Sequence, residues 1–297
     1  MNPDVNALMI EWKRHLLDEG WAILSARHTE SIFEVKRILE NQLKSHTGLR
    51  DINLENYGEW ELSEEQHLLC HSHMTQFFRS HKLGRRVIEA NLSLFVELIG
   101  PDINVQQNPY LRIARPGILG DNLDFHRDTF YGHTPYELSV LVPYVELSQE
   151  NSLSMLSGSH IQPDREFPFT QVKSADIEKG SLKNQLGFLY APKLLHPHVT
   201  EGIKPVSLQL GDILVFSQAT IHGSRVNLSR ITRWTSDTRI VNAFVPLKPE
   251  LKPGYYEPLA RSVVSQFSWV HELAERGEKS LLEEHLRRKE NMGEVSL

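Results

Sequence analysis

Between residues 103 and 247, apolar residues come in short runs separated by turn-forming residues, and this pattern limits the fold more than any other feature of the chain. Most of the runs are rich in β-branched and aromatic residues, which favour strands. The runs are Leu138–Val142, Gly187–Tyr190, Ile213–Phe216 and Ile240–Val245. Because many short strands at regular spacing are typical of a sandwich or a barrel, we predict a β core over 103–247.

The β core is flanked by segments with helical periodicity. Apolar residues recur every three or four positions after residues 5 and 32. Ser63 and Gln66 match a capping box at the start of a stretch that runs to Ile99. We expect one domain that is mainly β with flanking α, with residues 1–100 as helical support and lid, 103–247 as the core and 258–291 as a C-terminal helix.

Composition excludes several classes of protein. The net charge of −6 argues against a nucleic-acid-binding protein, because phosphate neutralisation needs a basic face. The single Cys70 excludes an intramolecular disulfide framework and a Cys-rich zinc module. The sequence contains no apolar run of the length that a membrane helix needs, and the first 20 residues lack the apolar region of a signal peptide. We therefore expect a cytoplasmic protein that binds a small molecule and neither nucleic acid nor membrane.

The 15 histidines are unusual, and one of them stands two residues before a carboxylate in the β core. In a strand, His126 and Asp128 would project to the same side. His222, at the end of a later strand, is the natural third ligand. Two histidines and one carboxylate on one face are typical of non-haem Fe(II) sites, which keep three coordination positions open. A second such pair, His28 and Glu30, lies in the helical region, where residues two apart do not face each other.

Other histidines could suggest a second metal site. His67 and His71 are four residues apart and would share one face of a helix, but no matching third ligand is evident. We interpret the helical set as exposed or pocket-lining side chains, and His196 and His198 as loop residues that are structural or line a pocket. The helical set is His67, His71, His73 and His81.

Arg233 follows His222 by eleven residues. A short hairpin of this length would return the chain beside its starting strand and place the guanidinium several ångströms from the metal. There its planar fork could bind a carboxylate through two hydrogen bonds. Three other arginines compete for this role, and Arg239 is the nearest rival because it has the same strand parity. The other two are Arg225 and Arg230.

Together these motifs resemble the Fe(II)/2-oxoglutarate-dependent dioxygenases, specifically the phytanoyl-CoA dioxygenase-like branch. The resemblance covers about residues 105–245 and includes His126 with Asp128, Gly211-Asp212, His222-Gly-Ser224, Asn227 and Arg233. The segment Asn151–His160 is similar to a further segment of that branch, although Ser152 and Ser157 stand where Gly and Pro are usual.

The resemblance implies a double-stranded β-helix, or jelly roll, with iron held at its open end by His126, Asp128 and His222. It further implies that 2-oxoglutarate chelates the iron and that its distal carboxylate meets Arg233, with a hydroxyl from Ser224 or Thr235 nearby. Dioxygen then takes the last position, and the co-substrate is converted to succinate and CO2 as an unactivated carbon of a small metabolite is hydroxylated. Because the carboxylate of Asp128 is present, halogenation is disfavoured.

Two other interpretations stay open at this stage. A cupin-like jelly roll could hold a metal or a sugar without oxidising anything, and a catalytically silent relative could act in assembly. Substrate identity and oligomeric state are not readable from the sequence. We expect residues 1–100 and the loop 160–186 to carry substrate choice, and the charged residues of that loop favour a polar substrate.

Overall fold

The computed structural model describes residues 3–169, 181–187, 194, 202–247 and 254–278, and for residues 3–10 and Tyr131 it describes the backbone alone. The predicted strand 187–190 and the histidines at 196 and 198 therefore fall largely or wholly outside the described residues. Within the described part of the chain, no helix has the length and apolar character needed to cross a membrane.

The elements follow the predicted order of helices, strands and a final helix. The α-helices are α1 Pro3–Glu19, α2 Thr29–Thr47, α3 Glu64–Ser80, α4 Leu83–Ala90, α5 Leu92–Ile99, α6 Leu182–Gln185 and α7 Val263–Glu275. The strands are β1 Trp21–Ser25, β2 Ile103–Gln106, β3 Tyr110–Ala114, β4 Glu137–Pro143, β5 Leu153–Leu156, β6 Ile203–Pro205, β7 Asp212–Ser217, β8 His222–Ser224, β9 Arg233–Asn242 and β10 Tyr256–Ala260. Short 3-10 helices span Tyr57–Glu59, Leu119–Asp121, Asp128–Tyr131, Ser159–Ile161 and Asp164–Glu166.

Two antiparallel sheets form the jelly roll. The larger sheet has the order β1-β7-β4-β9-β2-β10, and β3 pairs with the other end of the long strand β9. The smaller sheet has the order β6-β5-β8. Met155 of the smaller sheet belongs to the same apolar core as Val140 and Leu214 of the larger one, so the two sheets share one interior. The predicted fold class is confirmed.

Strand β9 separates two environments because its side chains alternate between the faces of the larger sheet. Its even-numbered residues from Trp234 to Ile240 are buried on the face that the helices cover. Trp234 meets Tyr57 ring to edge with centroids 5.5 Å apart, and α4 packs against β9. The odd-numbered residues, which include Arg233 and Arg239, face the space between the sheets.

Helices α2 and α3 form the outer layer. Apolar residues at helical spacing bury one face of α2, from Ile32 to Leu43. The predicted capping box is present at the start of α3, where the Ser63 side chain accepts from the Gln66 backbone N–H and the Gln66 side chain accepts from the Ser63 backbone N–H. The stretch predicted to run to Ile99 is divided into three helices, since Lys82 takes a left-handed conformation (φ 52°) and Asn91 ends α4.

Two strands lie outside the predicted β core. Strand β1 lies within the segment expected to be helical and pairs with β7 along its whole length, which adds an edge to the larger sheet. Strand β10 pairs with β2 where a helix was expected from about residue 258, and the helix begins at Val263 instead. Pro258 is compatible with β10 because this strand lies at the sheet edge.

The interpretation of His67 and His71 as exposed or pocket-lining residues is wrong. Both are buried, with 1% and 0% of their surface exposed. The Nε2–H of His71 donates to the Leu111 carbonyl oxygen at 2.7 Å, and Tyr57 Oη lies 3.0 Å from His67 Nδ1. Burial, the largest cause, lowers the pKa of His67 to about 4 and that of His71 to about 3.

The other two helical histidines lie nearer the surface. His73 is half-buried, hydrogen-bonds the Gln42 side chain at 2.7 Å and stacks on His46, while His81 is exposed at the end of α3.

These depressed pKa values predict acid lability of the metal-free protein. An unfolded histidine binds a proton near pH 6.5, whereas His67 and His71 stay neutral in the folded chain until about pH 4 and 3. Between pH 6.5 and these lower values, the unfolded state thus binds more protons than the folded state. The free energy of unfolding should therefore fall as the pH drops below 6.5. The slope approaches about 1.4 kcal/mol per pH unit for each histidine.

Urea unfolding of metal-free protein between pH 7 and 5 measures this slope. His71→Gln keeps a donor for the Leu111 carbonyl and should flatten the slope, whereas His28→Gln, at a side chain that is 56% exposed, should leave it unchanged. Equal slopes in the wild type and the His71 variant would contradict the assignment of a neutral buried imidazole.

Candidate metal and co-substrate site

A cavity of about 630 Å³ lies between the two sheets, and all the residues predicted to bind the metal or the co-substrate line it. This volume is within the usual range for small-molecule sites. The predicted residues on its wall are His126, Asp128, His222, Ser224, Arg233 and Thr235. These residues come from two stretches, 126–128 and 222–235, that are far apart in the sequence.

His126 and His222 face each other across a backbone bridge. Each backbone N–H donates to the other residue's carbonyl oxygen at 2.9 Å, and the imidazole centroids are 4.5 Å apart. Gly223 permits this approach, since a Cβ at that position would come within 2.8 Å of the Phe125 Cα. The glycine that follows the second histidine is therefore required by the packing of the site.

Both imidazoles are fixed in the same tautomer. The Nδ1–H of His126 donates to the Asp124 carbonyl oxygen at 2.6 Å, and the Nδ1–H of His222 donates to the Thr220 carbonyl oxygen at 2.9 Å. Each ring thus presents the Nε2 lone pair to the cavity. Hydrogen bonds of this kind orient histidines that bind metals.

Asp128 reaches the same point from a 3-10 turn and not from a strand, which corrects the predicted local geometry. Its Oδ1 lies 3.5 Å from His126 Nε2, and its Oδ2 accepts from Arg239 Nη2 at 2.7 Å. Candidate ligand atoms of His126, Asp128 and His222 all lie within 4.8 Å of one another. Among the described residues this is the one group of three histidines, cysteines or carboxylates that meets such a distance.

His222 and Asp128 are in the protonation states that metal binding needs. Burial, followed by the electrostatic influence of the His126 ring, lowers the pKa of His222 to about 4, so the His222 imidazole is neutral at physiological pH. Burial by itself raises the pKa of Asp128, but the charge of Arg239 and the neighbouring imidazoles outweigh it and hold this pKa well below its usual range. Two nitrogen donors and one carboxylate suit Fe(II).

The predicted hairpin between His222 and Arg233 is wrong, although the two residues do line the same cavity. Strand β8 belongs to the smaller sheet and β9 to the larger one, so residues 225–232 cross between the sheets. Asn227 fixes this crossing, because its Nδ2 donates to the carbonyl oxygens of Ala114 at 3.0 Å and Ile231 at 2.8 Å. Arg233 therefore faces the metal ligands from the opposite sheet.

Arg233 is a buried cation whose hydrogen-bond partners are neutral. Its guanidinium donates to the Ser224 hydroxyl at 3.1 Å, and to the Asn122 side-chain oxygen and the Asn151 carbonyl at 3.4 Å each. In the described part of the chain, no carboxylate forms an ion pair with it. Burial, followed by repulsion from Arg112, lowers the pKa of Arg233 to about 10, which still leaves it charged at neutral pH. A buried charge of this kind favours an anionic ligand.

The structure distinguishes between the competing arginines. Arg225 and Arg230 are exposed. Arg239 lines the cavity, but its charge is compensated by Asp128 at 2.7 Å and by Asp237 at 3.9 Å. Arg233 is the cavity arginine that combines burial with neutral partners.

The two hydroxyl candidates differ in their contacts. Ser224 accepts a hydrogen bond from Arg233, whereas Thr235 lines the wall one position further along the same face of β9.

Several cavity residues were not identified from the sequence as part of the site. Arg239 was considered only as a rival of Arg233, although its strand parity was a usable signal. His133 is buried on the cavity wall, where its Nδ1 lies 2.7 Å from Glu137 Oε2, and Tyr256 Oη donates to the same oxygen at 2.5 Å. No local motif marks this group, because β10, which carries Tyr256, lies far away in the chain.

The contact between Asp128 and Arg239 predicts a large stability effect in the metal-free protein. Both side chains are buried, so Asp128→Ala leaves an uncompensated charge and should lower the free energy of unfolding by about 3–5 kcal/mol. Chemical denaturation measures this value. The double variant Asp128→Ala/Arg239→Met removes both charges and should lose less than the sum of the two single variants. Additive losses would show that the pair is not energetically coupled.

Comparison with known proteins agrees with this arrangement. The family model described as phytanoyl-CoA dioxygenase (PhyH) matches residues 40–235. No match is found among curated proteins.

Solved structures with a similar fold cover most of the chain at low sequence identity. EvdO2 from Micromonospora carbonacea var. aurantiaca, complexed with 2-oxoglutarate, is 14% identical with a TM-score of 0.50 over 82% of this chain and 94% of its own. EctD from S. alaskensis, with 2-oxoglutarate and 5-hydroxyectoine, is 14% identical with a TM-score of 0.48 over 84% and 82%. The carbocyclase SnoK from nogalamycin biosynthesis is 16% identical with a TM-score of 0.47 over 85% and 93%.

The likeness to EvdO2 supports the jelly-roll fold. The family match covers well over half of the chain and agrees with the motifs around His126, Asp128, His222 and Arg233. The chain therefore belongs to the phytanoyl-CoA dioxygenase family and is an enzyme of the Fe(II)- and 2-oxoglutarate-dependent oxygenase class.

Proposed function

We propose that the chain binds Fe(II) through His126 Nε2, His222 Nε2 and Asp128, and that it uses 2-oxoglutarate and dioxygen to hydroxylate an unactivated carbon of a small metabolite, with release of succinate and CO2. The observation that carries the proposal is the convergence of these three side chains, whose candidate ligand atoms lie within 4.8 Å of one another. When bound, the iron supplies the oxidising chemistry that no amino-acid side chain provides.

Arg233 is the proposed anchor for the distal carboxylate of 2-oxoglutarate. Its buried guanidinium lies on the opposite sheet from the metal ligands and is surrounded by neutral acceptors. A carboxylate can accept two parallel hydrogen bonds from such a fork. The Ser224 hydroxyl, 3.1 Å from Arg233 Nη2, can orient either the guanidinium or the carboxylate. The 2-oxoglutarate in the EvdO2 structure is consistent with this choice of ligand.

Apolar side chains on the cavity wall would contact the methylene carbons of the co-substrate. Leu141, Leu147, Leu153 and Phe216 line the cavity along with the polar groups. Phe216 also packs against His222, with ring centroids 4.7 Å apart. These contacts exclude water from the space around the metal ligands and hold the second histidine in place.

A different set of residues would contact the substrate. Tyr110, Tyr255, Asn184 and Gln185 line the same cavity, and α6 carries the last two of these. The mixture of aromatic rings and amide groups is typical of a site for a small polar molecule. The expected contribution of the loop 160–186 stays a prediction, because residues 170–180 lie outside the described part of the chain.

The proposal predicts a selective defect in co-substrate use when Arg233 is replaced. Arg233→Gln should raise the KM for 2-oxoglutarate about 10- to 100-fold, since it removes charged hydrogen bonds worth about 1.5–3 kcal/mol. His126→Ala should abolish turnover. Succinate release measured with and without Fe(II) checks both variants, and Arg225→Gln, at an exposed arginine nearby in sequence, is the matched control that should behave as wild type.

Two outcomes would contradict the proposal. Succinate release that persists in His126→Ala would remove the metal assignment, and equal KM values for Arg233→Gln and Arg225→Gln would remove the co-substrate anchor. The alternative of a cupin-like binding protein predicts no succinate at all and no visible charge-transfer band when Fe(II) and 2-oxoglutarate are combined without oxygen.

A further inference from the structure

The two oxygens of Asp128 have different partners. Oδ1 lies 3.5 Å from His126 Nε2, which is itself a candidate ligand atom. Oδ2 accepts a hydrogen bond from Arg239 Nη2 at 2.7 Å. The carboxylate is thus oriented by a cation that is 6% exposed and has little freedom to move.

Arg239 is itself held by a buried chain of hydrogen bonds. Its Nε donates to Gln218 Oε1 at 3.1 Å, and Gln218 Nε2 donates to the Ser139 hydroxyl at 2.8 Å. Gln218 and Ser139 are fully buried. Ser139 is also the direct cross-strand partner of Arg239 in the pairing of β4 with β9. The strand β4 and the turn that follows β7 therefore fix the direction of the guanidinium.

Gln218 also fixes the turn that carries Asp128. Its backbone carbonyl oxygen accepts from the Thr129 N–H at 3.2 Å. The same residue thus positions the carboxylate through the turn and the guanidinium through its side chain. Gln218 therefore fixes both partners of the contact, the carboxylate of Asp128 and the guanidinium of Arg239.

We propose that Arg239, by engaging Oδ2, is a positioning residue that restricts Asp128 to one metal-binding oxygen, Oδ1, and so keeps three coordination positions open. This inference rests on the proposed function. A carboxylate with both oxygens unengaged can bind one metal ion through both of them, and the protein would then occupy four positions instead of three. A keto acid that chelates through two atoms, together with dioxygen, needs all three of the remaining positions.

The roles of the two cavity arginines are therefore different. Arg233 has neutral partners and can receive the distal carboxylate of a co-substrate, whereas the charge of Arg239 is already compensated by Asp128 and Asp237. Replacing Arg239 should affect the metal and any ligand that chelates it. Replacing Arg233 should affect only ligands that carry a distal carboxylate.

The experiment measures Co(II) binding, and then oxalate binding to the Co(II)-saturated protein, by absorption titration of wild type, Arg239→Gln, Arg239→Lys and the control Arg225→Gln. Oxalate is a chelator that needs two adjacent open positions and has no distal carboxylate. For Arg239→Gln we expect Co(II) affinity to fall 10- to 100-fold, in the range that follows loss of a residue that orients a metal ligand. Its oxalate affinity should also fall at saturating Co(II).

Of the other two variants, one tests geometry and one is a control. Arg239→Lys keeps the charge but replaces the planar fork, which reaches Gln218 and Asp128 through two different nitrogens, by a single nitrogen, and we expect an intermediate Co(II) affinity. Arg225→Gln, at an exposed arginine, should bind Co(II) and oxalate as the wild type does. Wild-type Co(II) and oxalate affinities in Arg239→Gln would overturn the inference. A wild-type protein that binds no Co(II) would instead contradict the proposed function.

A second variant covers the case in which Arg239→Gln does not fold, as judged by circular dichroism. Gln218→Leu keeps the charge pair and removes the side-chain acceptor of Arg239 Nε. We expect a smaller loss of both affinities in the same direction, and unchanged affinities in a folded Gln218→Leu protein would count against the inference.

Discussion

The alternation of strand β9 between two faces of the larger sheet is the constraint on which the rest of the structure depends. One face packs Trp234 and Ile240 under the helices, and the other presents Arg233 and Arg239 to the space between the sheets. A shift of one residue in register would exchange these two sets, since the side-chain period of a strand is two. It would bury both guanidinium groups under the helical layer and direct a tryptophan into the cavity.

The charged side chains of the cavity differ in whether a neighbouring charge compensates them. Asp128 and Arg239 compensate each other in the absence of a metal, which allows a carboxylate with 2% exposure to stay ionised. Arg233 lies on the same strand face with only neutral acceptors. A dication bound by the three ligands and a dicarboxylate bound by Arg233 would together add no net charge to the interior. The protein thus provides separate positions for each of the charged ligands that we propose.

The sequence predicted the chemistry of the site better than the local geometry that builds it. His126, Asp128, His222 and Arg233 were recognisable because their spacing follows a family pattern. The strand assumed for Asp128 was wrong, since this residue lies in a 3-10 turn. The hairpin assumed for Arg233 was also wrong, because β8 pairs with β5, and local sequence does not encode this long-range pairing. The role of Arg239 depends on Ser139 of β4 and on Gln218 in the turn after β7, and neither residue belongs to a motif. Strand β1 was missed for a related reason, since five residues between two helical patterns become a strand only when β7 is available as a partner.

The central claim is that His126, Asp128 and His222 hold one metal ion next to a keto acid that Arg233 anchors from the opposite sheet. A crystal structure of the protein grown without oxygen in Mn(II) and 2-oxoglutarate tests it most directly, with Mn(II) as an ion of similar ligand preference to Fe(II). The account predicts one ion bound by His126 Nε2, His222 Nε2 and a single oxygen of Asp128, with the distal carboxylate of the keto acid at Arg233. An ion held by other side chains, or a keto acid whose distal carboxylate lies away from Arg233, would contradict it.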